Sequence, residues 1–198
     1  MRQIALPLRA AAGEQPSRIV VGSANAAAIE AFSKADSWPF RTAILSGPPR
    51  SGRSLLARWF AESIPGGEAV DDADRMDEAA LFHRWNRAQE SATPLLLVAG
   101  EGEWKVALPD LASRLGAALH LSISAPDDEM MGELIACHAE QRGLVLDEAA
   151  ISYLVPRCER SHMGAEKLVE AIDRLSLERK QRPTLTIWRE ALAEIGAG

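Results

Sequence analysis

The chain has 198 residues, 47% hydrophobic and 25% charged, with 22 lysines and arginines against 28 acidic residues and a formal net charge of −6. That length suits one medium domain or two small ones with a real core, and the composition excludes fibrous and disordered classes. An acidic balance argues against a surface built to neutralise phosphates, so no direct nucleic-acid partner is expected. The two cysteines, Cys137 and Cys158, lack metal-ligand spacing and read as reduced packing residues, which fits a cytoplasmic location. The apolar N-terminal patch is interrupted by Pro7 and Arg9, short of a signal-peptide core, and no run approaches a membrane span.

Met1 to Leu8 alternates apolar residues ahead of a small, polar linker from Arg9 to Ser17. Such a peptide reads as a docking segment, or else as an edge strand or frayed tail. Ile19-Val20-Val21 is a β-branched run stopped by Gly22-Ser23; it suits a core strand, with the wall of a base pocket as the functional alternative at Val20 and Val21. A helix is predicted from about Ala26 to Lys34, and Pro39 marks a loop.

Ala43 to Ser46 then enters the turn Gly47-Pro48-Pro49-Arg50-Ser51-Gly52-Arg53-Ser54, which opens onto a helical pattern at Leu55 to Phe60. This is the context of a phosphate-binding loop, in which backbone N–H groups and a helix N-terminus cradle phosphates. Gly47, Gly52 and Ser54 satisfy the pattern, but Arg53 stands at the lysine position. Arginine keeps the charge, yet its planar fork is bulkier than an ammonium. A hydroxyl at Ser54 would meet Mg²⁺, and Asp71 and Asp72, at the end of the next apolar run, are placed as a metal ligand and a water-orienting base. An acidic loop capping the next helix explains Asp71 and Asp72 almost equally well.

Further helices are predicted from Glu78 to about Ser91 and from Asp110 to Leu115, and buried strands at Pro94 to Gly100 and Ala118 to Ile123. His120 faces solvent or fills a satisfied site. From Asp127 onward only helices are expected: to Arg142, Asp147 to Cys158, His162 to Lys180 and Thr184 to Glu194, with Asp127 and Asp147 as N-caps.

Gln3-Ile4-Ala5-Leu6-Pro7-Leu8 resembles the hexapeptide by which bacterial proteins bind the DNA polymerase sliding clamp, which would place Gln3, Ile4, Leu6, Pro7 and Leu8 in that contact. Nearly the whole length of the chain resembles the Hda/DnaA family of AAA+ proteins. The residues that carry this are the hexapeptide, Val21-Gly22-Ser23-Ala24-Asn25 as an adenine-side box, the loop Gly47 to Ser54, Val70-Asp71-Asp72, Ser113-Arg114-Leu115, and a lid ending in Thr184-Leu185-Thr186 and Ala191-Leu192. The resemblance implies an α/β AAA+ core over 18–125, a helical lid over 126–198 and a docking peptide with linker over 1–17. It implies binding to the sliding clamp and to DnaA, promotion of DnaA-ATP hydrolysis, and Arg114 as an arginine finger acting in trans. Its cofactor would be ADP or ATP with Mg²⁺, or no nucleotide at all, and homo-oligomer formation stays open.

Three departures converge on the chain's own nucleotide. Arg53 replaces lysine, Val98 and Ala99 end a strand where a polar sensor is expected, and Glu166 stands where the family's lid places an arginine. The segment between Ser54 and Asp71 is also too short for a further strand and helix, so the sheet order 5-1-4-3-2 becomes 5-1-4-3. Weak or absent turnover follows as the expectation, with an active P-loop ATPase as the alternative.

Overall fold

A computed structural model describes residues 19–196. Four parallel strands, β1 (Thr42–Ser46), β2 (Glu68–Val70), β3 (Leu95–Val98) and β4 (Leu119–Ser122), form one sheet in the order β2-β3-β1-β4. With number 2 left for the expected edge strand, the same order reads 5-1-4-3 from the opposite edge. Among the described residues no other strand joins this sheet.

The central strands are near-continuous apolar runs because both faces are covered. Leu95, Leu96 and Leu97 are wholly buried. Register places Leu97 between Ile44 and Val70, and these pack with Leu81 and Trp85 of α3 (Glu78–Glu90) and Leu111 and Leu115 of α4 (Pro109–Gly116). Ala43, Leu45 and Leu96 alternate to the other face. There α1 (Ala26–Phe32) and α2 (Arg53–Ser63) supply Phe32 and Phe60, edge to face at 5.3 Å, with Trp38 stacked on Phe60 at 5.4 Å. Edge strand β2 carries Glu68, paired with Arg84 and 3.7 Å from Arg87.

The chain divides into two compact units: residues 25–124, and the segment from Ala125 onward grouped with the described residues 19–24. The second is helical, with α5 (Asp128–Gln141), α6 (Glu148–Leu154), α7 (His162–Arg179) and α8 (Leu185–Gly196). Asp127 and Asp147 cap α5 and α6, accepting from Met130 N at 2.9 Å and Ala150 N at 2.8 Å. Heptad-like apolar positions Ala165, Leu168, Val169 and Ile172 of α7 are fully buried in this bundle. Ile19 to Val21 departs from the strand expectation: Ile19 makes a single isolated bridge, although it and Val20 are buried.

Candidate functional site: a phosphate loop and an arginine platform

The turn after β1 has the build of a phosphate-binding loop. Gly52 lies in the left-handed region at φ 82, a position glycine takes without steric cost, and its carbonyl accepts the first α2 bond from Leu56 N at 2.9 Å. Arg50 also has positive φ, at 64, and Pro48 O accepts from Ser51 N at 3.3 Å. Ser51 is 2% exposed, and its Oγ is buried without a hydrogen-bond partner. A Cβ built on Gly47 would meet that Oγ at 3.2 Å, so the hydroxyl faces back into the loop. An orphaned buried hydroxyl beside a helix N-terminus fits an anion. Pro49 and Ser54 are exposed, and Gly47 is buried at the base of the turn.

Arg53 does not point its charge into this loop in the way a lysine would. Its Nη1 donates to the carbonyl of Ala99, just beyond β3. The next backbone group is also taken, because Gly100 N donates to Asp74 Oδ2 at 3.0 Å, leaving buried Asp74 Oδ1 unpartnered. Where a polar sensor side chain was sought, the strand end is thus fastened through its backbone by Arg53 and Asp74. The sequence missed Asp74: a third aspartate in an acidic loop carries no pattern of its own.

Asp71 and Asp72 are exposed at the end of β2. Asp71 Oδ1 accepts from Asp72 N at 3.1 Å, and Asp72 sits at φ 48. Neither caps α3; that role belongs to Asp77, which accepts from Ala80 N at 2.9 Å. His120 is exposed with Nε2 3.0 Å from Leu115 O, a satisfied site.

Arg114 lies in the last turn of α4 and is half-buried. Its Nη1 donates to Asn86 Oδ1 at 2.6 Å, and its Cζ stands 4.6 Å from the Phe82 ring centre and 4.3 Å from that of Trp85. Phe82, Trp85 and Asn86 occupy one face of α3 by their i, i+3, i+4 spacing, a regularity the sequence offered and a motif reading overlooked. Stacking engages the faces of the guanidinium and leaves edge donors for another acceptor.

Val20, Val21 and Glu166 belong to the other unit. Val20 is buried, Val21 half-buried, and Glu166 half-buried on the first turns of α7. In that unit Asp127 is held below the usual carboxylate range by the Met130 amide and the Ser23 hydroxyl, and burial pushes the Cys158 thiol up to about 11. Burial, with His138 nearby, pushes His162 below its ordinary value. Cys137 and Cys158 are both buried thiols, and neither is in a disulfide. Gln3, Ile4, Leu6, Pro7 and Leu8 lie outside the described residues. Among those described, no cluster of three or more metal-ligating side chains occurs, and no helix is long and apolar enough to cross a membrane.

A parallel sheet with the phosphate loop on a central strand, followed by a helical lid, is the fold of AAA+ domain structures. The structure is similar to domain III of the Thermotoga maritima replication initiation protein DnaA, with a TM-score of 0.71 and 13% identity over 89% of this chain and 94% of that one. It is also similar to the T. maritima RuvB Holliday junction branch migration motor, with a TM-score of 0.65 and 17% identity over 87% of this chain and 69% of that one. A third similar structure is replication initiator DnaA bound to AMPPCP and single-stranded DNA, with a TM-score of 0.64 and 15% identity over 82% of this chain and 66% of that one. Residues 127–192 match the family described as the Hda lid domain. The fold is thus similar to that of DnaA domain III, and the C-terminal helices are similar to the Hda lid domain.

Proposed function

We propose that the chain is a DnaA-related replication regulator that works as an adaptor of the Hda kind. It docks on the DNA polymerase sliding clamp through Gln3, Ile4, Leu6, Pro7 and Leu8, engages DnaA, and promotes hydrolysis of the ATP that DnaA carries. The observation that carries the reading is the Hda lid match over residues 127–192, joined to a DnaA-like core. Arg114 is the group assigned to the partner's nucleotide. A guanidinium acting in trans stabilises charge that develops on phosphate oxygens in the transition state.

The chain's own turnover is weak or absent. Backbone donors of Gly47 to Ser54 and the Ser51 hydroxyl suit the phosphates of ADP or ATP, with Ser54 and Asp71 placed for Mg²⁺ and Asp72 for a water. Engagement of Arg53 by Ala99 supports retention of a nucleotide over its hydrolysis. A bound nucleotide would supply charge that orders this loop; Val20, Val21 and Glu166 remain the assigned base-side and lid contacts.

The test is ATP hydrolysis by DnaA with DNA-loaded clamp, with and without this protein. Acceleration that disappears in the Gln3→Ala, Leu6→Ala double variant, together with lost clamp co-elution, is the expected result. Acceleration with no need of clamp would remove the docking assignment, and no acceleration at all would remove the reading.

A further inference from the structure

Phe40 is 55% exposed, and its backbone is held at φ 50, ψ 26, followed by Arg41 at φ 46. Two consecutive non-glycine residues in the left-handed region form an arrangement that persists only when its surroundings impose it. Here they do. The Phe40 carbonyl accepts from Gln89 Nε2 at 2.7 Å and from Thr42 Oγ1 at 2.9 Å, while Arg41 Nη1 donates to Ala92 O at 2.7 Å and lies 3.3 Å from Asp36. The result is a largely exposed phenyl ring that contacts the Trp85 ring at a centroid distance of 6.2 Å. Trp85 is also the ring under Arg114. One buried indole therefore contacts both an exposed apolar ring and a guanidinium.

We propose that Phe40 is the apolar anchor of a docking face on which Arg114 is the cationic contact, and that its occupant is a nucleotide-carrying protein domain. The inference rests on the adaptor reading above and adds to it a residue with no phosphate chemistry of its own. Charge complementarity selects the occupant. A planar guanidinium with one donor on Asn86 retains edge donors that match phosphate oxygens, and the apolar ring that shares Trp85 with it excludes water from that contact. Energetic division of labour follows: Phe40 sets affinity, and Arg114 sets the rate at saturation.

The discriminating variant is Phe40→Asn in the full-length chain, because asparagine tolerates the left-handed region better than phenylalanine. DnaA-ATP hydrolysis is titrated with each variant on DNA-loaded clamp, alongside thermal unfolding and light scattering of the protein alone. For Phe40→Asn the melting temperature is expected to stay or rise, and the half-saturating concentration to increase on the order of tenfold with an unchanged plateau. Phe40→Leu, which keeps an apolar side chain, retains most of the affinity. An unchanged half-saturating concentration in Phe40→Asn overturns the proposal, as does a lower melting temperature, which would make the ring a packing residue on Trp85. Self-association lost in place of partner affinity overturns it too, by naming a second copy as the occupant. If the wild-type chain gives no acceleration, the adaptor reading fails and takes this proposal with it; failure at Phe40 alone leaves the adaptor reading standing.

Discussion

Arg53, on the first turn of α2, donates to the carbonyl of Ala99 beyond β3, tying the phosphate loop to the strand that runs beside it in the sheet. A lysine at this position would have no fork to spend on that carbonyl, and its ammonium would be free for phosphate. Arg53→Lys is therefore expected to tighten ADP binding by roughly tenfold, about 1.4 kcal/mol. Loss of the charge-assisted bond costs about 1.5–3 kcal/mol of stability. Calorimetric titration and thermal unfolding check the two effects, and weaker ADP binding in Arg53→Lys would show that Arg53 itself serves the nucleotide.

Arg114 carries a second prediction. Its contacts with Phe82, Trp85 and Asn86 are partly buried, so their removal costs about 1–2 kcal/mol, visible as a lower melting temperature, while the fold is retained. Arg114→Ala is expected to abolish acceleration of DnaA-ATP hydrolysis, by about 10³-fold, while clamp co-elution is unchanged. Arg114→Lys does not restore it, because an ammonium neither stacks as a plane nor donates as a fork. Full activity in Arg114→Lys would reduce the role to that of a point charge.

The sequence made the architecture readable where one physical rule dominates. Leu95 to Val98 could only be a buried strand, Asp127 and Asp147 stand at helix starts with the side chain that caps need, and the shortness of the Ser54 to Asp71 segment left no room for another strand. Ile19 to Val21 misled, because β-branching favours an extended backbone without supplying a partner strand. At the site, Gly47, Gly52 and Arg53 were legible as types, but the direction of the Arg53 side chain was not. Rotamers answer to tertiary neighbours, and Ala99 is forty-six residues away. The Arg114 platform was hidden for the same reason: its rings sit on α3, and only packing brings α4 to them.

The lid offers a steric prediction at Gly164, on the first turn of α7. A Cβ there would approach the Glu159 carbonyl oxygen at 2.5 Å and the Ser161 Oγ at 3.1 Å. Backbone cannot yield as a flexible side chain can, so Gly164→Ala is expected to displace the helix start and disturb the Ser161 cap, which accepts from Gly164 N at 2.8 Å. The cost is about 1–3 kcal/mol, visible as a lower melting temperature. Gly164→Ala with wild-type stability would mean that the turn before α7 relaxes freely.

His162 follows Ser161 and is 6% exposed, with its Nε2 buried and unpartnered. Burial comes first in lowering its proton affinity, and the nearby His138 adds to it. A histidine whose folded pKa lies below 6.5 makes no pH-dependent difference above that value, since both folded and unfolded chains hold it neutral. As the pH falls below 6.5 the unfolded chain takes up the proton first, and stability declines until the folded value is passed. One proton sets the steepest slope this group can contribute, about 1.4 kcal/mol per pH unit. Urea unfolding followed from pH 7.5 to about 5 is expected to show the decline in the wild-type chain and a shallower one in His162→Gln, which carries no titrating proton. Equal slopes in the two proteins would remove His162 as the source of the decline; Asp127 does not replace it in this window, because its depressed carboxyl loses its contribution only at lower pH, toward its folded value.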